Sequence, residues 1–105
     1  MTTIVTTTGT GTPVPHRDRA GPGTHVQYDD VRLQFDVGRM TLNRLVQMDV
    51  GVADLSAIFL THYHSDHVVG LTDVMLTHWV MDWGGEWSAV PIVAPNGHTT
   101  DFVDR

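Results

Sequence analysis

Seven consecutive residues, Thr61-His62-Tyr63-His64-Ser65-Asp66-His67, follow directly on the apolar run Ala57-Ile58-Phe59-Leu60. A short apolar run bounded by polar residues reads as a strand buried on both faces, the kind found in layered α/β structures. The polar stretch then stands at that strand's C-terminal end. In extended backbone, residues i and i+2 point to the same side, so His62 and His64 can face one ion. Ser65 or Asp66 opens a helix that Val69, Val74 and Met75 carry to about Met81. Its first turn puts Asp66 and His67 within reach of a second ion beside the first.

Each of these residues has an ordinary role when taken alone. Ser65 is a common N-cap, Asp66 is a favourable charge in a first helical turn, and a single histidine is usually a surface residue. Three histidines and a carboxylate within six positions are harder to explain that way. Imidazole and carboxylate are the ligands expected for Zn2+, and they also suit Mn2+ or Fe2+. The chain has no cysteine, so disulfides and thiolate ligands are excluded and any ion must be held by His and carboxylate. An open coordination position would leave room for a water whose pKa the ion lowers to about 7.

The remaining elements follow from pattern. Residues 2–8 are rich in β-branched side chains and read as a strand. They run into Gly9-Thr10-Gly11-Thr12-Pro13-Val14-Pro15, a turn-rich loop that continues to Gly23. It lacks the Gly-Lys-Ser/Thr of a P-loop and the third glycine of a dinucleotide fingerprint. Gly9 and Gly11 therefore serve either a connection needing positive φ or the lining of a site. Residues 24–29 and 31–35 alternate as two strands joined at Asp29-Asp30. Asp36 then ends the second strand, as a turn residue or as the partner that holds a ligand histidine.

Thr41 is expected to cap a helix whose core face is Leu42, Leu45 and Val46, closing near Asp49 and Gly51. Trp79, Trp83 and Trp87 are spaced by four, but Gly84-Gly85 interrupts any single helix. They read as packing aromatics, with Trp87 the candidate for lining a cleft and His78 exposed. Residues 90–93 form a further strand, Pro95-Asn96-Gly97 a turn, and Thr99 or Thr100 the start of a last helix.

The spacing His-x-His-x-Asp-His resembles the signature of the metallo-β-lactamase superfamily of metal-dependent hydrolases. Gly9-Thr10-Gly11-Thr12-Pro13, Phe35-Asp36-Val37-Gly38-Arg39-Met40-Thr41 and Phe59-Leu60-Thr61-His62 resemble its ribonuclease Z and arylsulfatase-like branch, over most of residues 4–76. The resemblance implies an α/β fold: the N-terminal half of a four-layer αββα sandwich, with a mixed sheet and flanking helices. Residues 1–105 would then be a partial domain whose C-terminal half is missing.

The resemblance further implies His62 and His64 on a first metal and Asp66 and His67 on a second, with two Zn2+ in a complete site. Asp66 would also be the catalytic proton carrier, and Asp36, Gly9 and Gly11 would support or line the site. The implied reaction is attack of a metal-bound hydroxide on a phosphodiester, as in ribonuclease Z and transfer-RNA 3′ processing. Arylsulfatase-like or other ester hydrolysis is the alternative, as is a non-catalytic fragment that binds metal weakly.

Such enzymes draw a further histidine, a bridging aspartate and another histidine from later in the chain, and this sequence has no matching positions. His98 does not sit in any of those motifs. The expectation is the N-terminal part of a longer hydrolase, completed by the missing half or within a homodimer. Met40 departs from the pattern, which has a small residue there, and would crowd a close backbone approach.

Charge bears on the substrate. The formal net charge is −6, and all six cations are arginine. Nucleic-acid binders normally carry a basic stripe, and none is evident, so an RNA substrate would have to be gripped elsewhere or by the metals. No segment approaches the roughly 20 apolar residues of a membrane span. Residues 1–5 also lack the pattern of a secretory signal, which makes a cytoplasmic home the expectation.

Overall fold

Strands β1 (Thr3–Gly9), β2 (Gly23–Tyr28) and β3 (Val31–Phe35) form an antiparallel meander, to which β4 (Ala57–Phe59) and β5 (Ile92–Val93) add in parallel. The sheet order is β1-β2-β3-β4-β5 in this computed structural model, which describes residues 2–104. The change from antiparallel to parallel at β3 follows from the connections. β2 and β3 are joined by Asp29-Asp30, with Asp29 at φ 51, a tight link that only antiparallel neighbours can use. Parallel neighbours need a crossover. α1 (Thr41–Gln47) and a 3-10 turn at Val52–Asp54 supply the first, and α2 (Ser65–Val68) with α3 (Leu71–Met81) supply the second. α4 (His98–Asp104) follows β5. This is the mixed sheet with flanking helices that the sequence led us to expect.

The core lies between one face of the sheet and the helices. Gln34, Ile58 and Ile92 are in register on that face. Ile58 and Leu60 pack with Leu45 of α1, Val68 of α2, Leu71 and Val74 of α3, and Val37, Val50, Val52 and Leu55 of the connections. Each such side chain contributes about 1.5–3 kcal/mol by leaving water. The opposite face carries Val26, Leu33, Ala57, Phe35 and Phe59, all only partly buried, with Val5 and Val93 exposed at its edges. Phe35 and Phe59 stack there with centroids 4.9 Å apart.

Several expectations change in detail. Thr41 is the first helical residue of α1 and not its cap; Met40 holds that position at φ 64. The Thr41 hydroxyl donates instead to the Gly38 carbonyl, 3.0 Å away. Val46 is 61% exposed and lies on the outer side of α1, because a seven-residue helix buries a stripe narrower than three neighbouring apolar positions. Trp79 and Trp83 are exposed rather than packed. His78 is half-buried, not exposed: its ring lies 5.3 Å from Trp87 and its Nε2 has no partner among the described residues. His78 and Trp87 line a cavity of about 290 Å³ with Ile58, Val74 and Met75, which shares no residue with the histidine stretch.

The single helix expected from Ser65 to Met81 is two helices. The cause is a close crossing of backbones. The Gly70 N–H donates to the Val37 carbonyl, and the Val37 N–H to the His67 carbonyl, each at 2.8 Å. A Cβ at Gly70 would sit 2.2 Å from the Gly38 carbonyl oxygen. The segment after β3 thus inserts against the end of α2, taking hydrogen bonds that a continuous helix would have kept for itself. Gly38 in turn lies against Gly21 and against the Asp66 carbonyl, with no room for a side chain.

Candidate metal centre

β3 and β4 run parallel with Phe35 opposite Phe59, so the residues that follow them, Asp36 and Leu60-Thr61, leave the sheet side by side. This is the carboxyl end of parallel strands, the usual location of sites in open α/β sheets. Asp36 turns sharply there, at φ 61, a left-handed conformation that Asp adopts more readily than most residues. Its carboxylate faces the start of the histidine stretch. Oδ1 accepts the Thr61 main-chain N–H at 2.8 Å, and Oδ2 accepts both the Thr61 hydroxyl and His67 Nδ1, each at 2.8 Å.

These bonds decide which ring nitrogens carry protons. A carboxylate only accepts, so His67 must present Nδ1–H to Asp36, which leaves the Nε2 lone pair open. Thr61 Oγ1 spends its single hydrogen on Asp36. The 2.8 Å contact between Oγ1 and His62 Nδ1 is then donated by His62, whose Nε2 is also open. Orienting partners of this kind commonly fix ligand histidines. Two imidazoles are thus preset with acceptor nitrogens by one aspartate and one threonine.

The rings lie close together. His62 is 4.5 Å from His64 and 4.1 Å from His67, centroid to centroid. Asp66, nearly buried in the first turn of α2, places Oδ2 3.6 Å from His67 Nε2, too far for a hydrogen bond. The structure therefore brings together His62, His64, Asp66 and His67, with Asp36 behind them. It does not join Gly9 and Gly11 to them; both glycines pack against the Ala20-Gly21 backbone. Among the described residues, no group of three or more His, Asp or Glu side chains is arranged to hold one metal ion. The donor chemistry suits a divalent cation, but as pairs of ligands rather than a closed site.

Sequence reasoning missed three contributors. Thr61 was visible only as the residue before the motif, and nothing in its type announces a bridge between Asp36 and His62. Gln34 and His25 were detectable in principle: both fall where the strand alternation calls for apolar residues on the core face. They are buried, and burial holds the His25 pKa below its ordinary value, opposed by the hydrogen bond that His25 donates to Gln34 and reinforced by the Arg32 charge.

A family model described as Anti-Pycsar protein Apyc1 matches residues 5–84, well over half of the chain. The chain belongs to that family. It is also similar to the ribonuclease Z of Mycobacterium bovis (strain BCG / Pasteur 1173P2), with 44% identity over 100 residues covering 95% of this chain and 35% of the relative. The Mycobacterium marinum (strain ATCC BAA-535 / M) ribonuclease Z is 42% identical over 100 residues, covering 95% of this chain and 36% of that protein. This member of the family thus spans about a third of the length of those relatives and matches their N-terminal part.

Solved structures agree. The metallo-β-lactamase fold protein YhfI of Bacillus subtilis superposes with a TM-score of 0.86 at 25% identity, covering 99% of this chain and 41% of that one. The short form of human tRNase Z gives 0.79 at 27% identity, covering 96% and 38%. The family member described here has part of the metallo-β-lactamase fold. No helix among its described residues is long and apolar enough to cross a membrane.

Proposed function

We propose that the chain is the N-terminal part of a metal-dependent phosphodiesterase of ribonuclease Z type, and that residues 1–105 are a partial domain. What supports the reading is the Asp36–Thr61–His62/His67 arrangement, which leaves two Nε2 lone pairs open at the carboxyl end of parallel strands, in a chain 44% identical to a ribonuclease Z. His62 and His64 would hold one divalent cation, Asp66 and His67 a second, with Zn2+ the leading candidate and Mn2+ or Fe2+ chemically suited. A bound cation of this kind supplies Lewis acidity to a phosphoryl oxygen and lowers the pKa of water.

The chain's own residues then divide the remaining work. Asp36 holds His67 directly and His62 through Thr61, so the tautomers that leave their Nε2 atoms open are set before an ion arrives. Asp66, with Oδ2 3.6 Å from His67 Nε2, would carry a proton to or from the reacting group. Gly9 and Gly11 keep a close-packed loop on Gly21, which itself abuts Gly38 beneath the site. Stable zinc centres use three or four protein ligands, so the other donors would come from a C-terminal half or a partner copy.

The test is hydrolysis by the longer protein that contains these residues, with precursor transfer RNA, small phosphodiesters and aryl sulfates offered in parallel. Cleavage of precursor RNA that is lost in His64→Ala supports the reading. Turnover of small phosphodiesters alone would remove the RNA-processing part. Activity confined to sulfate esters would overturn the phosphodiesterase assignment.

A further inference from the structure

Gln34 and His25 sit under the site, on the helix-covered face of the sheet, and neither is accessible to water beyond 1%. The Gln34 amide donates twice from Nε2, to the Asp36 carbonyl and to Thr8 Oγ1, each at 2.9 Å. Its Oε1 faces His25 Nδ1 at 3.2 Å. The orientation is forced. The Asp36 carbonyl can only accept, so Nε2 must lie towards it, Oε1 must lie towards His25, and His25 must present Nδ1–H. His25 Nε2 is then an acceptor with no partner among the described residues, consistent with a ring that burial keeps neutral.

Asp36 is the residue this arrangement serves. Its main chain is held at φ 61 from both sides: the N–H donates to the Phe59 carbonyl at 2.8 Å and the carbonyl accepts from Gln34. A polar pair costs more than an apolar one in a sheet core unless fully satisfied. Here it stands two residues before the carboxylate that sets the tautomers of His62 and His67. We infer that His25 and Gln34 are positioning residues: a buried relay that fixes the Asp36 backbone and, through it, which nitrogens of His62 and His67 are open to a ligand. The inference rests on the proposed role of those two histidines as metal ligands.

The test begins with metal-free protein, in which the His67 Nδ1–H bonded to Asp36 is followed by its imidazole proton exchange and nitrogen chemical shifts. Gln34→Met keeps the volume and removes all three hydrogen bonds; Val74→Ala serves as a control that loosens the core elsewhere. We expect exchange at His67 to quicken measurably in Gln34→Met and to stay near wild type in Val74→Ala. Wild-type exchange in Gln34→Met, or equal quickening in the control, overturns the relay. Should Gln34→Met not fold, His25→Phe is read in the same way: faster exchange supports the relay and unchanged exchange overturns it.

Zinc titration of the same substitutions, made in the longer protein that supplies the remaining donors, is scored separately. Binding weakened about tenfold in Gln34→Met supports the functional part of the inference, and equal affinity overturns it. Failure of the wild-type chain to take up zinc strikes the ligand reading of His62 and His67 while leaving the exchange result to judge the relay.

Discussion

Replacing Asp36 by asparagine should invert the candidate metal centre without dismantling it. The Thr61 main-chain N–H can only donate, so the asparagine oxygen must take the place of Oδ1, and the amide nitrogen must replace Oδ2. That nitrogen would face the Thr61 hydroxyl and His67 Nδ1, both of which now donate to it at 2.8 Å. Contact can be restored only if His67 shifts its proton to Nε2 and the Thr61 hydroxyl turns to donate to His62, which moves that ring's proton to Nε2 as well. The number of hydrogen bonds survives, and so does the backbone, since asparagine tolerates positive φ. Charge assistance does not survive. At about 1 kcal/mol for each of three bonds, stability should fall by about 2–3 kcal/mol.

The larger effect is on binding, because both Nε2 lone pairs become N–H donors. Loss of an outer-sphere partner weakens metal binding by about 10–100-fold; with two rings affected we expect the upper end, or about 2.7 kcal/mol. Nitrogen chemical shifts of the two rings would report the tautomers in metal-free protein, and zinc titration against a competing chelator would give the affinity. An Asp36→Asn chain with wild-type ring shifts and zinc affinity within threefold of wild type would refute the argument that this carboxylate selects the nitrogens.

Other expectations follow from the backbone and from His25. Gly70→Ala forces a Cβ to within 2.2 Å of a main-chain oxygen, so the urea midpoint should drop by the equivalent of about 3 kcal/mol, the upper range for overpacking; a loss under 1 kcal/mol would mean that the crossing yields easily. Met40→Gly should stabilise, because it relieves φ 64, a left-handed cost of roughly 1–2 kcal/mol for non-glycine residues, against about 0.5–1 kcal/mol of added chain entropy. The side chain is half exposed, so strain rather than crowding is the cause, and an unchanged or lower melting temperature would contradict it. The folded state depresses the His25 pKa from 6.5, so its unfolded form binds the extra proton first. Stability should be fully present above pH 6.5 and decline as pH falls from there through the folded value. A melting temperature in His25→Phe that falls as steeply as wild type over that range would exclude His25 as the source.

How much of this could be read from residues alone differs by element. The strands and the histidine stretch were legible because period-two alternation and a dense run of one residue type are local signals. The fold was expected from the family resemblance, with Ala57-Ile58-Phe59-Leu60 read as a strand buried on both faces; in the structure the side bearing Ala57 and Phe59 is only partly covered. Asp36 was visible as a candidate partner, although neither its left-handed turn nor its grip on Thr61 could be seen. Those depend on β3 and β4 lying side by side, with the bonded groups 25 positions apart in the chain. The break at Gly70 was hidden for the same reason: the pattern from Ser65 to Met81 is helical throughout, and a distant backbone, Val37-Gly38, interrupts it. The tryptophans misled because spacing by four describes helical neighbours whether or not anything covers them.

The stacked pair Phe35 and Phe59 gives the open face of the sheet a second meaning. These rings lie immediately before Asp36 and two residues before Thr61, so they ride on the same strand ends that hold the two imidazoles. If the proposed second half covers that face and His62 and His67 bind a cation, both events would act on one short piece of backbone. Thermodynamic reciprocity then binds the two events together: if covering the face tightens cation binding by some factor, the cation must tighten the covering by the same factor. Assembly of the sandwich and loading of the metal would be two readings of a single equilibrium.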